Sequence, residues 1–473
     1  MNFISIKFLA LFIVLYVFYW NVSLKKKRIL LIIASCIFYS FFSFNFLIHL
    51  IFIILINFLM IKYFLQKEVF VKLIVGVNLF NLILFKYFYF VLELIGQIFG
   101  IGVLSEKTEL NRYFSSLLNL KVFELVLPAT ISYYTFQFIS LGVDLKKKVI
   151  SEKVEFFDIA SYILFLPVMI AGPILRYKDI RSQFENPTMN EKDMADGLWL
   201  ILVGIVKKIL LSDLIALSIY PVFSKPADYS GLSLLYTSYF FAFHLYLDFS
   251  GLTDMARGIG KLLGFSLPEN FKAPFFLSNF GDFWRRWHLT FSFWIRDYIY
   301  IPLGGSRKGE LRTSFNLLIT FILGGLWHGA SLNFALWGFL TGIFLSIERF
   351  FGNLQFMEKI PKIPYLSFGL KYFFVLHIYL ISWVLFFTPD VKTALLVMKN
   401  IAIMKKGLEL TALETGFYVG VFTFLFHSVQ EWPDAFRKFE KYKYRILPFG
   451  YILVLLVMIS NQSGNLDFFY AKF

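Results

Sequence analysis

Apolar runs of membrane-spanning length recur from one end of the chain to the other, separated by short basic loops. The runs at 3–20, 29–43 and 46–66 predict three spanning helices, and the run at 70–98 predicts a fourth. Lys25, Lys26, Lys27 and Arg28 follow the first run, Lys62, Lys67 and Lys72 follow the third, and Lys146, Lys147 and Lys148 follow the run at 125–143. The positive-inside rule puts these clusters in the cytoplasm and the N-terminus outside. The first run is expected to remain as a helix, because its basic cluster follows it and no small-residue cleavage site comes after. Residues 104–124 carry both signs of charge and read as an external loop with a short amphipathic segment.

The middle of the chain breaks this rhythm. Residues 157–175 are apolar but end in AGPILRYKD, and 179–196 are polar. Residues 197–220 are apolar yet hold Lys207 and Lys208, and the apolar run 231–249 ends in YLDFSG. The block 251–312 is too charged to face lipid and must be buried in protein, lie at an interface or line a watery cavity. Spans resume at about 313–327, 331–351, 366–388, 411–428 and 446–460, with loops at 352–365 and 430–445. There is no internal repeat. The expected architecture is all-α, a polytopic helical membrane protein with one domain over residues 1–473.

Composition agrees: the chain is 58% hydrophobic and only 16% charged, which excludes an ordinary soluble chain of 473 residues. The net charge of +15 resides in loop lysines and carries no nucleic-acid signal; membrane lipids are the partner it implies. The single cysteine, Cys36, excludes an intrachain disulfide and reads as a packing residue.

Two segments concentrate chemistry. In GDFWRRWHLTFSFWIRDYIYIPLGG, residues 281–305, a helix would align Trp284, Trp287, Phe291, Trp294 and Tyr298 in one aromatic stripe. Arg285, His288, Ser292 and Arg296 would form a cationic stripe beside it, and Asp282 and Arg286 are spaced for an i,i+4 pair. Two readings stand side by side: an interfacial helix with arginines on lipid phosphates, or a donor-binding face that includes His288. The second segment, GGLWHGASLNF at 324–334, sets His328 among glycines. The apolar run 315–323 meets Gly324 and Gly325 early, which predicts a helix broken at membrane depth with room for a ligand beside the imidazole. A neutral histidine there can accept a proton from an alcohol, or it can serve as a structural hydrogen-bonding group.

Other polar residues have plainer expectations. Asp248 and Asp254, six apart, would bind a cation, pair with nearby arginines or cap a helix; Asn270, in LPENF, looks like part of a turn. His49, His244, His377 and His427 sit singly in apolar runs and read as packing or hydrogen-bonding residues. No metal spacing, phosphate loop or serine-histidine-acid signature occurs.

These segments resemble the membrane-bound O-acyltransferase superfamily, and its bacterial polysaccharide O-acetyltransferase branch in particular. The matching stretches are LPATISYYTFQFIS at 127–140, AGPILRY at 171–177, VKKILLSD at 206–213, YLDFSGLTDMARGIGKLLGFSLPENFKAPF at 246–275, DFWRRWHLTFSFWIRDYIYIPLGG and GLWHGASLNFALWG at 325–338. The resemblance covers roughly residues 80–390. It implies a ring of tilted and broken helices around a central funnel, with His328 at the centre and His288 near a tunnel entrance. It implies transfer of an acyl group, acetyl from cytoplasmic acetyl-CoA, towards hydroxyls of an extracytoplasmic polysaccharide. His328 would be the base or acyl carrier, with His288 and Arg285 or Arg286 at the donor side. Trp327, Trp287, Asp282, Asp248, Asn270 and Arg296 complete the expected donor and substrate site. No permanently bound cofactor and no metal are expected. A separate extracytoplasmic transferase is the implied partner, and the bacterial inner membrane the implied location. The sister branch of D-alanyl transferases shares both histidine segments but usually lacks the YIPLGG ending found at 300–305. Departures from the pattern are Ser331-Leu332-Asn333 and Leu252-Thr253. A D-alanyl transferase, a transporter and a structural subunit remain the competing readings.

Overall fold

Hydrocarbon leaves backbone groups no water to bond, so helices are the expected solution, and helices are what form. The computed structural model describes residues 2–104, 106–122, 124–128, 130–151, 153–170, 172–352 and 364–460. Among these, every regular element is helical apart from one isolated bridge between Tyr229 and Leu408. The loop expected at 352–365 lies outside the described residues except at its two ends. The chain divides into two compact units, residues up to Ile170 with Ile174–Asn186, and residues from Pro187 onward.

The first unit holds α1 (Ile6–Trp20), α2 (Leu24–Ser40), α3 (Phe44–Phe64), α4 (Phe70–Leu82), α5 (Phe88–Phe99), α6 (Lys107–Leu117), α7 (Ile131–Lys146), α8 (Phe156–Ile163) and α9 (Tyr177–Glu185). A π turn at Ile83–Tyr87 joins α4 to α5, so Phe70–Phe99 is a continuous 30-residue apolar helix. With no hydrophobic drive between helices in lipid, polar side chains and close contacts hold them together. Asn57 and Asn78 exchange amide hydrogen bonds of 3.2 and 2.7 Å between α3 and α4. Asn81 contacts His49 Nε2 at 3.0 Å and donates to the Tyr134 hydroxyl at 3.2 Å, linking α3, α4 and α7. Arg28 reaches Asp158 at 2.6 Å, tying α2 to α8.

The second unit holds α10 (Glu191–Ile205), α11 (Asp213–Ser224), α12 (Gly231–Leu262), α13 (Phe280–Trp284), α14 (Leu289–Ile295), α15 (Glu310–His328), α16 (Leu332–Gly352), α17 (Pro364–Ser382), α18 (Val384–Phe387), α19 (Val391–Ala402), α20 (Leu413–Glu431) and α21 (Pro433–Ser460). The stretch expected as a loop at 430–445 is instead helical and continues into the last apolar run as α21. The apolar run that ended at Phe249 likewise continues as helix to Leu262.

Glycine seams explain the tightest approaches. Gly204 faces Gly251, and Gly197 faces Gly258, so that a Cβ on Gly204 or Gly258 would come within 2.5 Å of the opposite carbonyl oxygen. The seven-residue spacing on both sides of this seam lets α10 and α12 run antiparallel with their backbones touching. In the α15–α16 hairpin, a Cβ on Gly325 would lie 2.1 Å from the Phe334 carbonyl oxygen, and one on Gly338 the same distance from that of Phe321. Gly324 and Gly325 therefore do not break α15, as the sequence suggested. Gly325 is the surface against which α16 packs, Gly324 faces Phe291 and Ile295, and α15 runs on to His328. Helices Phe44–Phe64, Phe70–Phe99 and Leu332–Gly352 are long and apolar enough to cross a membrane by length and composition.

Gly338→Val is expected to lower the thermal unfolding midpoint in detergent, by overpacking that costs about 1–3 kcal/mol. Gly76→Ala, where a Cβ meets nothing within 4 Å, is the matched control and leaves the midpoint at or above that of the parent.

Candidate active site

His328 is placed by the end of a helix. It is the last residue of α15, and Gly329 leaves in extended conformation with the Ser331 amide closing back on the Gly329 carbonyl at 2.9 Å. The space beside Gly329 is taken: a Cβ there would lie 2.1 Å from the Phe334 ring. The glycine thus makes room for Phe334 and not, as expected, for a ligand. The His328 side chain is enclosed by Phe291, Trp327, Trp337 and Phe386, at centroid distances of 5.5, 5.0, 5.7 and 5.2 Å, and the residue is only 2% exposed.

His288 is placed by a break. The continuous helix expected over 281–305 does not form: α13 ends at Trp284, α14 starts at Leu289, and His288 between them takes a left-handed φ of 43°. Such a backbone costs a non-glycine residue on the order of 1–2 kcal/mol, and Asn270 holds it. The Leu289 amide donates to the Asn270 carbonyl at 3.0 Å, and the Thr290 hydroxyl donates to Asn270 Oδ1 at 2.6 Å. Asn270 is thus more than a turn residue; it fixes the start of α14.

The break also dissolves the cationic stripe. His288 turns inward and is fully buried, against Phe249 at 4.7 Å, Phe291 at 5.1 Å and Trp327 at 6.0 Å. The Arg285 side chain is 65% exposed, and its one ion pair among the described residues is with Asp282, at 3.6 Å. Arg296 pairs with its neighbour Asp297 at 2.6 Å, largely in the open. Arg286 forms the expected pair with Asp282, at 3.1 Å, and also grips Glu431 with two bonds of 2.7 and 3.2 Å. The Arg286 guanidinium holds the Glu431 carboxyl below its ordinary range. Burial raises the Asp282 carboxyl, but the Ser278 amide and Arg286 together outweigh it and leave it low. The break also ends the single aromatic stripe, although Trp284, Trp287, Phe291 and Trp294 are each buried.

What the structure brings together is the pair of histidines. Both rings contact Phe291 and Trp327, which stack on each other at 4.7 Å. Gly324, one turn before His328, leaves the room that Phe291 fills. The forty residues between the histidines (328 − 288) fold so that the two imidazoles flank one aromatic wall.

Asp248 is committed elsewhere. Its carboxylate meets Lys208 at 2.9 Å with neither side chain exposed, Lys208 also meets Asp213 at 2.7 Å, and Lys207 meets Asp254 at 2.7 Å. The two aspartates are thus ion-paired, but chiefly with lysines and not with the arginines expected; Arg257 reaches Asp254 only at 3.6 Å. The pairing also accounts for lysines inside an apolar run. The α12 helix that carries these aspartates presents Phe249, the next residue, to the His288 ring. Sequence reasoning noted Lys207 and Lys208 only as charges inside an apolar run and passed over Asp213, Phe249, Trp337 and Phe386; two lysines in one apolar run and two aspartates in the next were the available signal for the ion pairs. His244 contacts the Ser212 and Tyr220 hydroxyls at 2.9 and 3.2 Å, and His427 stacks on Phe275 at 5.1 Å, so these are hydrogen-bonding and packing residues.

Comparison with known proteins follows the same segments. The sequence model of the membrane-bound O-acyltransferase family matches residues 113–388. A probable alginate O-acetylase from Pseudomonas putida is 33% identical over 410 residues, covering 83% of this chain and 79% of that protein. A peptidoglycan O-acetyltransferase from Helicobacter pylori is 32% identical over 406 residues, covering 79% and 73%. A teichoic acid D-alanyltransferase from Bacillus subtilis is 29% identical over 234 residues, covering 47% and 58%.

Lys208→Met is expected to destabilise the protein by on the order of 3–5 kcal/mol, because it strands the carboxylates of Asp248 and Asp213. Asp248→Asn leaves Lys208 with Asp213 and costs less. Denaturation of both variants in detergent checks the order.

Proposed function

The chain belongs to the membrane-bound O-acyltransferase family and is an O-acyltransferase, and from that premise we propose that it transfers acetyl from a cytoplasmic thioester towards hydroxyls of an extracytoplasmic polysaccharide or cell-wall glycan. The observation that carries the reading is the enclosure of both imidazoles against Phe291 and Trp327. A site that excludes water strengthens each polar interaction in it and protects a reactive thioester from hydrolysis.

His328 takes the proton of the acceptor hydroxyl as the oxygen attacks the thioester carbonyl carbon. The C–S bond then breaks, and the leaving sulfur takes a proton back from the imidazolium, so that an ester and a free thiol result. His288, on the other side of the shared aromatic wall, orients the reacting groups. For the donor phosphates, Arg285 suits the role through its exposure, whereas Arg286 is engaged by two carboxylates. Acetyl-CoA is the donor in this scheme. A separate extracytoplasmic transferase completes the modification, and the protein resides in the bacterial inner membrane with its N-terminus outside. The names of the Pseudomonas and Helicobacter relatives support acetyl transfer to a glycan, and the YIPLGG ending at 300–305 favours it over D-alanyl transfer.

Purified protein supplied with labelled acetyl-CoA tests this. His328→Ala is expected to lower CoA release about 10²- to 10⁴-fold, the usual contribution of a positioned base. His377→Ala, a ring on α17 against Phe373 and Tyr239, leaves the rate unchanged. Equal inertness of parent and variants, with candidate glycans and partner present, discards the donor assignment in favour of transport or scaffolding.

A further inference from the structure

The wall around His328 carries one polar group that its packing does not use. Trp337, on α16, is 2% exposed. Its backbone is fixed in the α15–α16 hairpin: its carbonyl accepts the Thr341 hydroxyl at 2.9 Å, and the next residue, Gly338, packs on Phe321. Its indole meets three rings, Phe386 at 4.9 Å, Trp284 at 5.8 Å and His328 at 5.7 Å, the last with the two planes at 84°. Among the described residues its Nε1–H has no hydrogen-bond partner.

A buried N–H without an acceptor is rare, because it gives up its hydration for nothing in return. The wall itself does not call for one. Phe291 and Phe386 line the same enclosure with rings that hold no polar atom. The indole therefore keeps a donor in reserve, beside the imidazole that the acyl transfer uses.

The reaction supplies an acceptor for it. When an alcohol oxygen attacks a thioester, negative charge collects on the carbonyl oxygen, and His328 is then engaged with the hydroxyl proton. The buried lysines of this unit are held by carboxylates of their own. An acceptor hydroxyl within about 2.6–3.2 Å of the imidazole lies about 3–3.5 Å from the carbonyl carbon it attacks. A ring centred 5.7 Å from that of His328 is on this scale.

We infer that Trp337 Nε1–H is the oxyanion donor of the acyl transfer, an inference that rests on the reading of His328 as the base. The acceptor oxygen bonds to the carbonyl carbon as its proton passes to His328. The π pair of the C=O bond moves onto the carbonyl oxygen, which accepts a hydrogen bond from the indole; the indole keeps its proton. As the carbonyl re-forms, the C–S bond breaks and the sulfur takes the proton from the imidazolium. A neutral donor suits a dry enclosure: it is aligned before charge develops, is strong where water is excluded, and needs no counterion while the site is empty.

The test purifies the full chain with Trp337 changed in two ways. Trp337→Phe removes the N–H and some ring volume. Trp337→3-benzothienylalanine, introduced by nonsense suppression, keeps the fused ring and puts sulfur in place of the N–H. Trp383, a buried indole against Phe275, Phe283 and Trp287, receives the same two substitutions as the control. With labelled acetyl-CoA, both variants at 337 are expected to lose about 10²- to 10³-fold in kcat, the usual effect of removing one oxyanion donor, with KM little changed. The control variants keep the parent's rate. The benzothienyl variant at 337 is expected to unfold at or above the parent's midpoint, since it loses no hydrogen bond of the resting protein. An unchanged kcat in that variant overturns the inference. So does a raised KM at constant kcat, which makes the N–H a ground-state contact. So does a midpoint well below the parent's, which gives the N–H a structural partner. The midpoint needs no donor: a parent inert towards acetyl-CoA counts against the donor assignment, while the midpoint still judges whether the N–H is spare.

Discussion

Burying charge in an apolar interior is the constraint on which the second unit depends. Lys208, Asp248 and Asp213, with Lys207 and Asp254 beside them, are stable only as a closed set, since an unmatched charge there costs several kcal/mol. The set closes because two pairs of glycines let α10 and α12 meet at backbone distance. A π turn at Val206–Ser212 carries both lysines into the gap that the seam leaves. Once α12 is pinned in this way, Phe249 is pinned too, and with it one wall of the His288 pocket. Structure and chemistry thus share a support: the ion pairs hold the helix that holds the ring that meets the imidazole.

Around the histidines the logic is aromatic rather than ionic. Phe291 and Trp327 serve both rings, and Trp337 and Phe386 close the space around His328. The arginines that the sequence placed with His288 are outside this enclosure and bind carboxylates of their own. The division suits an acyl transfer in which a charged donor head stays near water while its thioester enters a dry room. Asn270 is the hinge of that arrangement, because it holds the left-handed turn that sends His288 inward while Arg285 stays outside.

The helical membrane class was legible in hydropathy alone, and many element ends fell where apolar runs ended. His328 and His288 stood out as polar residues in unusual company, and both are buried. Three features were not. Glycines 324 and 325 read as a break because glycine is a poor helix former, yet tertiary packing overrides propensity, Gly325 against the Phe334 carbonyl of α16 and Gly324 against the Phe291 ring. The apparent helix at 281–305 read as continuous because its spacing was sound, but Asn270, distant in sequence, captures the Leu289 and Thr290 amides and splits it. The lysine-rich 430–445 read as a loop, although its helix forms against α10 through Lys443 and Asp196. In each case a tertiary partner decided what local pattern left open.

The aromatic enclosure has an optical consequence. Six of the nine tryptophans, Trp284, Trp287, Trp294, Trp327, Trp337 and Trp383, are buried in the second unit, and Trp327 and Trp337 touch the His328 ring. Indoles out of water emit at short wavelength, and a protonated imidazole in contact quenches them. The protein's own emission is therefore concentrated around His288 and His328, and a change in the charge of the His328 ring would be written into its intensity. The chain carries a built-in optical probe of that enclosure, which needs no added dye.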